Sequence, residues 1–292
     1  MVHNVRLSNP GASVEAIQHH YDVGNAFYRL WLDPSMSYSA ACWADEHETF
    51  VGAQQRKLAF HVTQARAQTA PRVLDIGCGW GAWLKYLVDR YPVEQAVGLT
   101  LSQEQAQWID AYQEPRIDVR LESWSDHTPI EPYDAIVCVG AFEHFARPEH
   151  SDAQRLAGYR AFFQSCHAWL RPGGWMSLET ITYENMRRQD RSRFLLENIY
   201  PESDLPTLAD IAEATERLFE IVTYRNDRAD AARTWRVWLH NLKAKRAEAV
   251  QLVGEEKVAT YETYLKLSII AFHIGNLGLP RMALKRIDRP RP

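Results

Sequence analysis

The run Val73-Leu74-Asp75-Ile76-Gly77-Cys78-Gly79-Trp80-Gly81-Ala82-Trp83 constrains the fold more than any other stretch of the chain. Arg72-Val73-Leu74 reads as a buried parallel strand that ends at an acid followed by glycines at every second position. Leu84, Tyr86, Leu87 and Val88 then fall at helical spacing. Strand, glycine turn and helix together make a nucleotide site. Glycine allows positive φ and a close approach of ligand to main chain, and the start of the helix offers unpaired N–H groups. A dinucleotide fold uses the same device, so the discriminating residue is Asp75 within Asp-x-Gly-x-Gly-x-Gly. Its carboxylate repels a pyrophosphate and suits the positive end of S-adenosylmethionine (SAM).

The segments on either side alternate as a doubly wound α/β sheet requires. Residues 13–31 read as two short helices broken at Gly24, the second capped by Asn25, and a helix over 49–68 leads into the first strand. After the turn come a strand over 96–100 and a helix from Ser102, with Gln105 completing a capping box. Strands over 119–121 and 133–139, a helix over 153–170, a turn at 171–174 and a strand over 175–180 follow. Residues 219–224 and 282–286 suit the last two strands, an antiparallel pair at the sheet edge, with helices over 232–247 and 255–273 between them. The expected fold is a Rossmann-like, seven-stranded, mostly parallel α/β sheet in one domain, 1–292. It divides into an N-terminal helical cap (1–70), a SAM-binding core (71–180), a helical insert over the active site (181–215) and closing strands and helices (216–292). The Pro/Arg-rich tail 287–292 reads as disordered.

Composition narrows the class. A net charge of −4 gives no reason to expect nucleic acid or stable membrane association, and no run of about 18 apolar residues is present. The first residues lack a signal-peptide segment, so a cytoplasmic protein is expected. Four separated cysteines, Cys42, Cys78, Cys138 and Cys166, argue against a zinc site or a disulfide framework. Monomer or homo-oligomer is left open.

Several stretches together resemble the cyclopropane-fatty-acid and mycolic-acid cyclopropane synthases, SAM-dependent enzymes that methylate an alkene carbon. Residues 18–28, Gln-His-His-Tyr-Asp-Val-Gly-Asn-Ala-Phe-Tyr, with Asp33-Pro34 and Ser37-Tyr38-Ser39, are similar to its N-terminal signature. Asp75 to Trp80, Gly98 to Ser102 and Ala141-Phe142-Glu143-His144-Phe145 are similar to its glycine motif, second strand and fourth strand. Leu205-Pro206-Thr207 and residues 234–242 carry weaker marks. The resemblance implies that Tyr38 and Ser39 close over the methionine portion of SAM while Asp75, Gly77 and Gly79 cradle it. It also implies that Thr100, Leu101 and Gln105 border ribose and adenine, and that Ser123 and Trp124 flank the adenine.

Where the family holds a bicarbonate base with Cys, Glu, His and Tyr, this chain resembles it only at Glu143. The other positions read Ala40, Glu179 and, on a gapless alignment, Ala231. Two carboxylates facing an anion repel it. Glu179, at the end of a buried strand, is therefore expected to serve as the base, with Glu143 and Tyr21 beside it. Methyl transfer to an alkene leaves a carbocation. Position of the base then decides whether a cyclopropane or a methylated alkene forms. Aromatic faces at Tyr21, Tyr38, Phe142 and Phe145 suit such a cation, and suit core packing equally.

Arg187, Arg188 and Arg191 cluster in the insert and suit a diphosphate, although such a run is often a solvated helix face. The expected reaction is SAM-dependent C-methylation of a small alkene, a prenyl diphosphate, with Mg²⁺ only if a diphosphate binds. The alternatives are an unsaturated acyl lipid as substrate, O- or N-methylation, and a SAM-binding regulatory protein without chemistry.

Overall fold

The structure, a computed structural model, describes residues 11–289; expectations for residues 1–10 and for the tail beyond 289 lie outside it. Helices α1 (Val14–Tyr21) and α2 (Asn25–Arg29) lead to α3 (Phe50–Gln64). The core then runs β1 (Arg72–Ile76), α4 (Ala82–Arg90), β2 (Gln95–Thr100), α5 (Gln103–Asp110), β3 (Ile117–Leu121) and β4 (Tyr133–Val139). It continues through α6 (Asp152–Trp169), β5 (Leu170–Glu179) and β6 (Thr182–Tyr183). Next come α7 (Arg193–Asn198), α8 (Leu208–Thr215) and β7 (Phe219–Asn226). Three helices follow, α9 (Arg228–Ala244), α10 (Arg246–Val253) and α11 (Glu255–His273), before β8 (Leu277–Gly278) and β9 (Pro280–Arg286).

The seven-stranded sheet has the order β3-β2-β1-β4-β5-β9-β7. Its first five strands are parallel, and β9 runs antiparallel to both β5 and β7, which gives the expected antiparallel pair at the edge. Alternation along β1 feeds two cores. Val73 packs with Val62 of α3 and with Leu84 and Leu87 of α4, whereas Leu74 packs with Phe162 and Phe163 of α6. A third apolar cluster joins Tyr28 and Trp31 of the N-terminal region to Trp235 and Trp238 of α9 and Tyr261 and Tyr264 of α11.

Several local expectations are corrected. The break at Gly24 holds, but the cap of α2 is Gly24 itself at φ 117°; Asn25 is its first helical residue and spends its amide on Glu104 and Trp80. Ser102 caps α5, yet no capping box closes, because the Gln105 side chain accepts from the Thr100 hydroxyl. The helix before β1 stops at Gln64, since Arg66 takes a left-handed conformation. Helix 232–247 is two helices, α9 and α10, and the insert contains β6, which pairs with β8 in a small second sheet.

Candidate active site

Two cavities open at the carboxyl ends of the parallel strands, where doubly wound sheets take their ligands. The first is lined by Tyr38, Ser39, Asp75, Gly77 and Gly79, by Thr100, Leu101 and Gln105, and by Ser123 and Trp124. The glycine turn builds its floor. Gly77 sits at φ +76°, and a Cβ there would lie 2.3 Å from the Cβ of Ala141; at Gly79, φ +54°, the same direction is open space. At the end of β2 the Thr100 hydroxyl donates to Gln105 Oε1 at 2.7 Å and accepts from the Ser102 N–H at 3.1 Å. The N-terminal cap closes this side: Gln18 Nε2 donates to the Leu101 carbonyl, and Ser102 bonds Asp22.

These residues fit SAM by the chemistry of their donors and acceptors. Burial raises the Asp75 carboxyl to about 7, against the pull of the Lys57 charge. A buried carboxylate of raised proton affinity gains most from a cationic ligand. The glycine floor leaves room for a ligand against the main chain, and Thr100 with Gln105 supplies hydroxyl and amide partners for a ribose.

The second cavity, of about 310 Å³, shares Tyr21, Tyr38, Ser39, Gly140 and His144 with the first, so the two meet. Its walls are mainly apolar: Ile181, Met186, Leu195, Leu196, Leu205 and Trp235 among them, with Leu267, Ile270, Ala271 and Phe272 of α11. That volume suits an apolar ligand rather than water alone. Tyr200 and Tyr264 pair their hydroxyls at 2.9 Å in its wall, and Tyr38 donates to Tyr264 at 3.4 Å. At the junction the Tyr21 hydroxyl bonds His144 Nε2 at 3.2 Å, and His144 Nδ1 bonds Ser203 Oγ at 2.6 Å. Burial lowers His144 to about 4, so the imidazole is neutral, and burial pushes the Tyr21 phenol far up.

Both expected carboxylates reach the chamber, but in opposite states. Glu179 is 1% exposed, and its Oε2 accepts from Arg281 Nε at 2.5 Å and faces His61 Nε2 at 3.2 Å. Burial alone would raise it; Arg281, His61 and Lys57 outweigh burial and hold it at about 2. The other nitrogen of His61 faces Ser177 Oγ at 2.9 Å. Glu143 is 6% exposed, and its Oε1 accepts from the Ile181 N–H at 2.5 Å. Its Oε2 is buried and makes no hydrogen bond within the protein. Burial raises this group to about 7, against the pull of the main-chain N–H groups of Glu143 and Ile181 and of the Thr180 hydroxyl. The free carboxylate expected at Glu179 is thus an ion-paired one, and Glu143, expected beside it, is held by the Ile181 N–H.

Other candidates separate as well. Ala40 lines the chamber; Ala231 is fully buried and does not. Phe142 packs in the α6 core instead of facing a substrate, and Phe145 borders the SAM cavity. The arginine cluster is a structural tie. Arg188 Nε lies 2.8 Å from Asp204 Oδ2, and Arg191 Nη1 lies 2.7 Å from Asp204 Oδ1, around a carboxylate that is 1% exposed. Arg187 is exposed, and of the three only Arg191 lines the chamber. A carboxylate at the centre of the cluster leaves less charge for a diphosphate.

Lys57, His61 and Arg281 went unnoticed in the sequence: each sits in an ordinary amphipathic segment, and only folding brings them to Ser39 and Glu179. Among the described residues, Cys42, Asp227 and Asp230 converge as metal ligands would. The Arg281 guanidinium already occupies that cluster, bonding Cys42 and Asp227.

A model of the family described as mycolic acid cyclopropane synthetase matches residues 9–282. The chain belongs to the mycolic acid cyclopropane synthetase family. Within that family it is 33% identical over 276 residues to cyclopropane mycolic acid synthase 2 of Mycobacterium leprae, covering 86% of this chain and 87% of that protein. It is 32% identical to the cyclopropane mycolic acid synthase MmaA2 of Mycobacterium tuberculosis over 292 residues, 93% of this chain and 97% of that one. The solved structure of MmaA2 from the same organism superposes with a TM-score of 0.86 at 30% identity, over 96% of this chain and all of the other. CmaA1, solved as a complex with SAH and CTAB, superposes at 0.85 with 29% identity, over 94% and 99% of the two chains. A geranyl diphosphate methyltransferase shares the fold at 15% identity and a TM-score of 0.65, over 94% of this chain and 98% of that one. The family assignment makes this chain a SAM-dependent methyl-transfer enzyme of the class I fold. No helix among the described residues is long and apolar enough to cross a membrane.

Proposed function

We propose that this family member transfers a methyl group from SAM to an alkene carbon of an unsaturated hydrocarbon chain in the apolar chamber, and that Glu143 accepts the proton released afterwards. The observation that carries this reading is the Glu143 carboxylate: buried, raised to about 7, with Oε2 unpaired in the wall of the chamber that meets the SAM cavity. Held among Tyr38, Ser39, Asp75, Gly77 and Gly79, SAM would supply an electrophilic methyl to the alkene π pair, and the electrons of the methyl–sulfur bond would stay on sulfur. The substrate is left with a cation at the neighbouring carbon. Loss of a proton to Glu143 neutralises it, either from the added methyl with closure of a cyclopropane or from a substrate carbon with formation of a methylated alkene. A carboxylate with proton affinity near neutrality takes that proton readily, whereas one held at about 2 by Arg281 is a far weaker acceptor. The rings of Tyr21, Tyr38, Tyr200 and Tyr264 and the indole of Trp235 line the same space, where aromatic faces stabilise a cation and keep water from trapping it.

The apolar wall favours a long chain over a diphosphate-bearing isoprenoid, because the arginines that would grip a diphosphate are committed to Asp204. The names of the relatives attach cyclopropanation to mycolic acids, and alkene chemistry of that kind is what this chamber supports. Methyl-labelled SAM incubated with vesicles of an unsaturated acyl phospholipid should give label in the lipid fraction and a product one CH₂ heavier. Turnover on geranyl or isopentenyl diphosphate, with none on acyl chains, would overturn the substrate class.

A further inference from the structure

We propose that Lys57 sets the polarity of Ser39, so that the serine hydroxyl donates to the carboxylate of the methionine end of SAM and the lysine charge balances that anion. Lys57, on α3, is 3% exposed and lines the SAM cavity, and its Nζ donates to Ser39 Oγ at 2.9 Å. An ammonium has three donors and no acceptor, so Ser39 Oγ accepts in that bond. The single hydrogen of the hydroxyl is thereby directed elsewhere. Ser39 itself is fixed, since its carbonyl accepts from Gln54 Nε2 at 3.0 Å and the residue lines both cavities. The following carbonyls, of Ala40 and Ala41, accept from Arg281 Nη2 at 2.7 and 3.3 Å, which holds the segment onto the sheet.

The second observation concerns charge. Among the described residues Lys57 has no carboxylate oxygen within 4.0 Å, although Glu179, Asp33 and Asp75 surround it at longer range together with Arg281, His61 and Cys42. A buried ammonium without a contact counter-ion is costly, and an anion arriving beside it recovers that cost. The methionine end of SAM carries one anion, its α-carboxylate. Asp75 lines the cavity as a partner for the α-ammonium, so the two charged ends of the amino acid are read by groups of opposite sign.

The inference rests on SAM as cofactor and not on the identity of the alkene, and it is tested by binding without turnover. Dissociation constants would be measured by calorimetry for SAM, SAH and decarboxylated SAM, which lacks only the carboxylate. The wild-type chain should bind SAM about tenfold or more tighter than the decarboxylated compound, the scale of one hydrogen bond to a charged group. Lys57→Met should erase most of that preference, weakening SAM and SAH about tenfold while leaving decarboxylated SAM within about twofold. Ser39→Ala, a smaller change, should show the same pattern, and the double substitution should lose little more than either single one, as for residues acting in one contact. Equal weakening of all three ligands in both variants, or an unchanged preference, overturns the role. Failure of the wild-type chain to bind SAM at all would instead strike the cofactor assignment.

Discussion

Glu143→Gln should cut turnover steeply and yet make the protein relatively more stable than the wild type as the pH rises. The Glu143 carboxyl rises from its ordinary 4.5 to about 7 because burial disfavours the anion. At about 1.4 kcal/mol for each tenfold change in proton affinity, the folded protein holds the ionised form about 3 kcal/mol less favourably than the unfolded chain does. Below pH 4.5 the group is neutral in both states and this penalty is absent. It grows between 4.5 and 7 as the unfolded chain loses the proton first, and above 7 it is present in full. Glutamine keeps an acceptor for the Ile181 N–H but buries an amide that lacks a second partner. That cost, about 1–3 kcal/mol, does not depend on pH. The difference between pH values is therefore the informative quantity. Urea melts of the two proteins should show the variant gaining about 2–3 kcal/mol on the wild type between pH 5 and pH 8. The same titration governs catalysis with the opposite sign, because a base acts ionised. With SAM saturating, wild-type kcat/KM for the alkene should fall about tenfold per pH unit below 7, and Glu143→Gln should lose about two to four orders of magnitude with SAM affinity retained. A stability difference that stays constant with pH, or a rate that is level from pH 8 down to 5, would refute both the burial argument and the base.

Further predictions concern the neighbouring charges and the glycine floor. Asp75→Ala should weaken SAM binding by about 1–3 kcal/mol in calorimetry. In the wild type, affinity should rise with pH up to about 7 as the Asp75 carboxyl ionises, with proton release on binding below that pH, seen as a dependence of the binding heat on the buffer. Glu179→Gln takes one of two hydrogen-bonded carboxylates from buried Arg281, with Asp227 remaining, and should cost about 1–3 kcal/mol in chemical denaturation, whereas Glu179→Gln paired with Arg281→Met should recover part of that loss. Near-normal stability of the single variant would show the pair to be dispensable. Gly77→Ala should abolish SAM binding, since its Cβ meets the Ala141 Cβ at 2.3 Å on a backbone at φ +76°. An alanine variant that binds SAM normally would mean that the turn relaxes.

The sheet was legible because its signals are local. The apolar run at 73–76 with glycines at 77, 79 and 81 names a strand, a turn and a helix entry within a dozen residues, and the antiparallel edge pair follows from two short apolar runs. Ends of elements were less legible where a side chain had two options: Gln105 prefers the Thr100 hydroxyl to the Ser102 backbone, and Asn25 turns to Trp80. The site divides along the same line. All ten residues expected around SAM line one cavity: eight lie at or just after the carboxyl ends of β1, β2 and β3, and Tyr38 and Ser39 come from the segment between α2 and α3. What the sequence concealed was pairing at long range. Arg281 lies 102 residues from Glu179 and His61 lies 118 residues away, and nothing in the spacing of an arginine on β9 or a histidine on α3 announces that both converge on one carboxylate. The counter-ion of the arginine cluster was hidden for the same reason, since Asp204 lies beyond α7 in the chain.

Two carboxylates in one chamber wall divide into two roles through their partners alone. Both are buried, and burial alone would raise both. At Glu179 a guanidinium and an imidazole outweigh burial, and the product is a fixed anion that holds Arg281 in place. Arg281 in turn holds the carbonyls of Ala40 and Ala41 beside the Tyr38-Ser39 pair. At Glu143 neutral donors, main-chain N–H groups and the Thr180 hydroxyl, fall short of burial, and the product is a group poised to change protonation state near neutrality. Pairs of titratable groups pushed apart in this way mark which one exchanges protons and which one stays charged. It follows that exchanging their environments should exchange their roles. Arg281→Met frees Glu179 from its strongest partner and should raise its proton affinity, adding a second ionisation to the pH profile of kcat/KM. A profile that still bends only near 7 would show that Glu179 takes no part in proton transfer even when released.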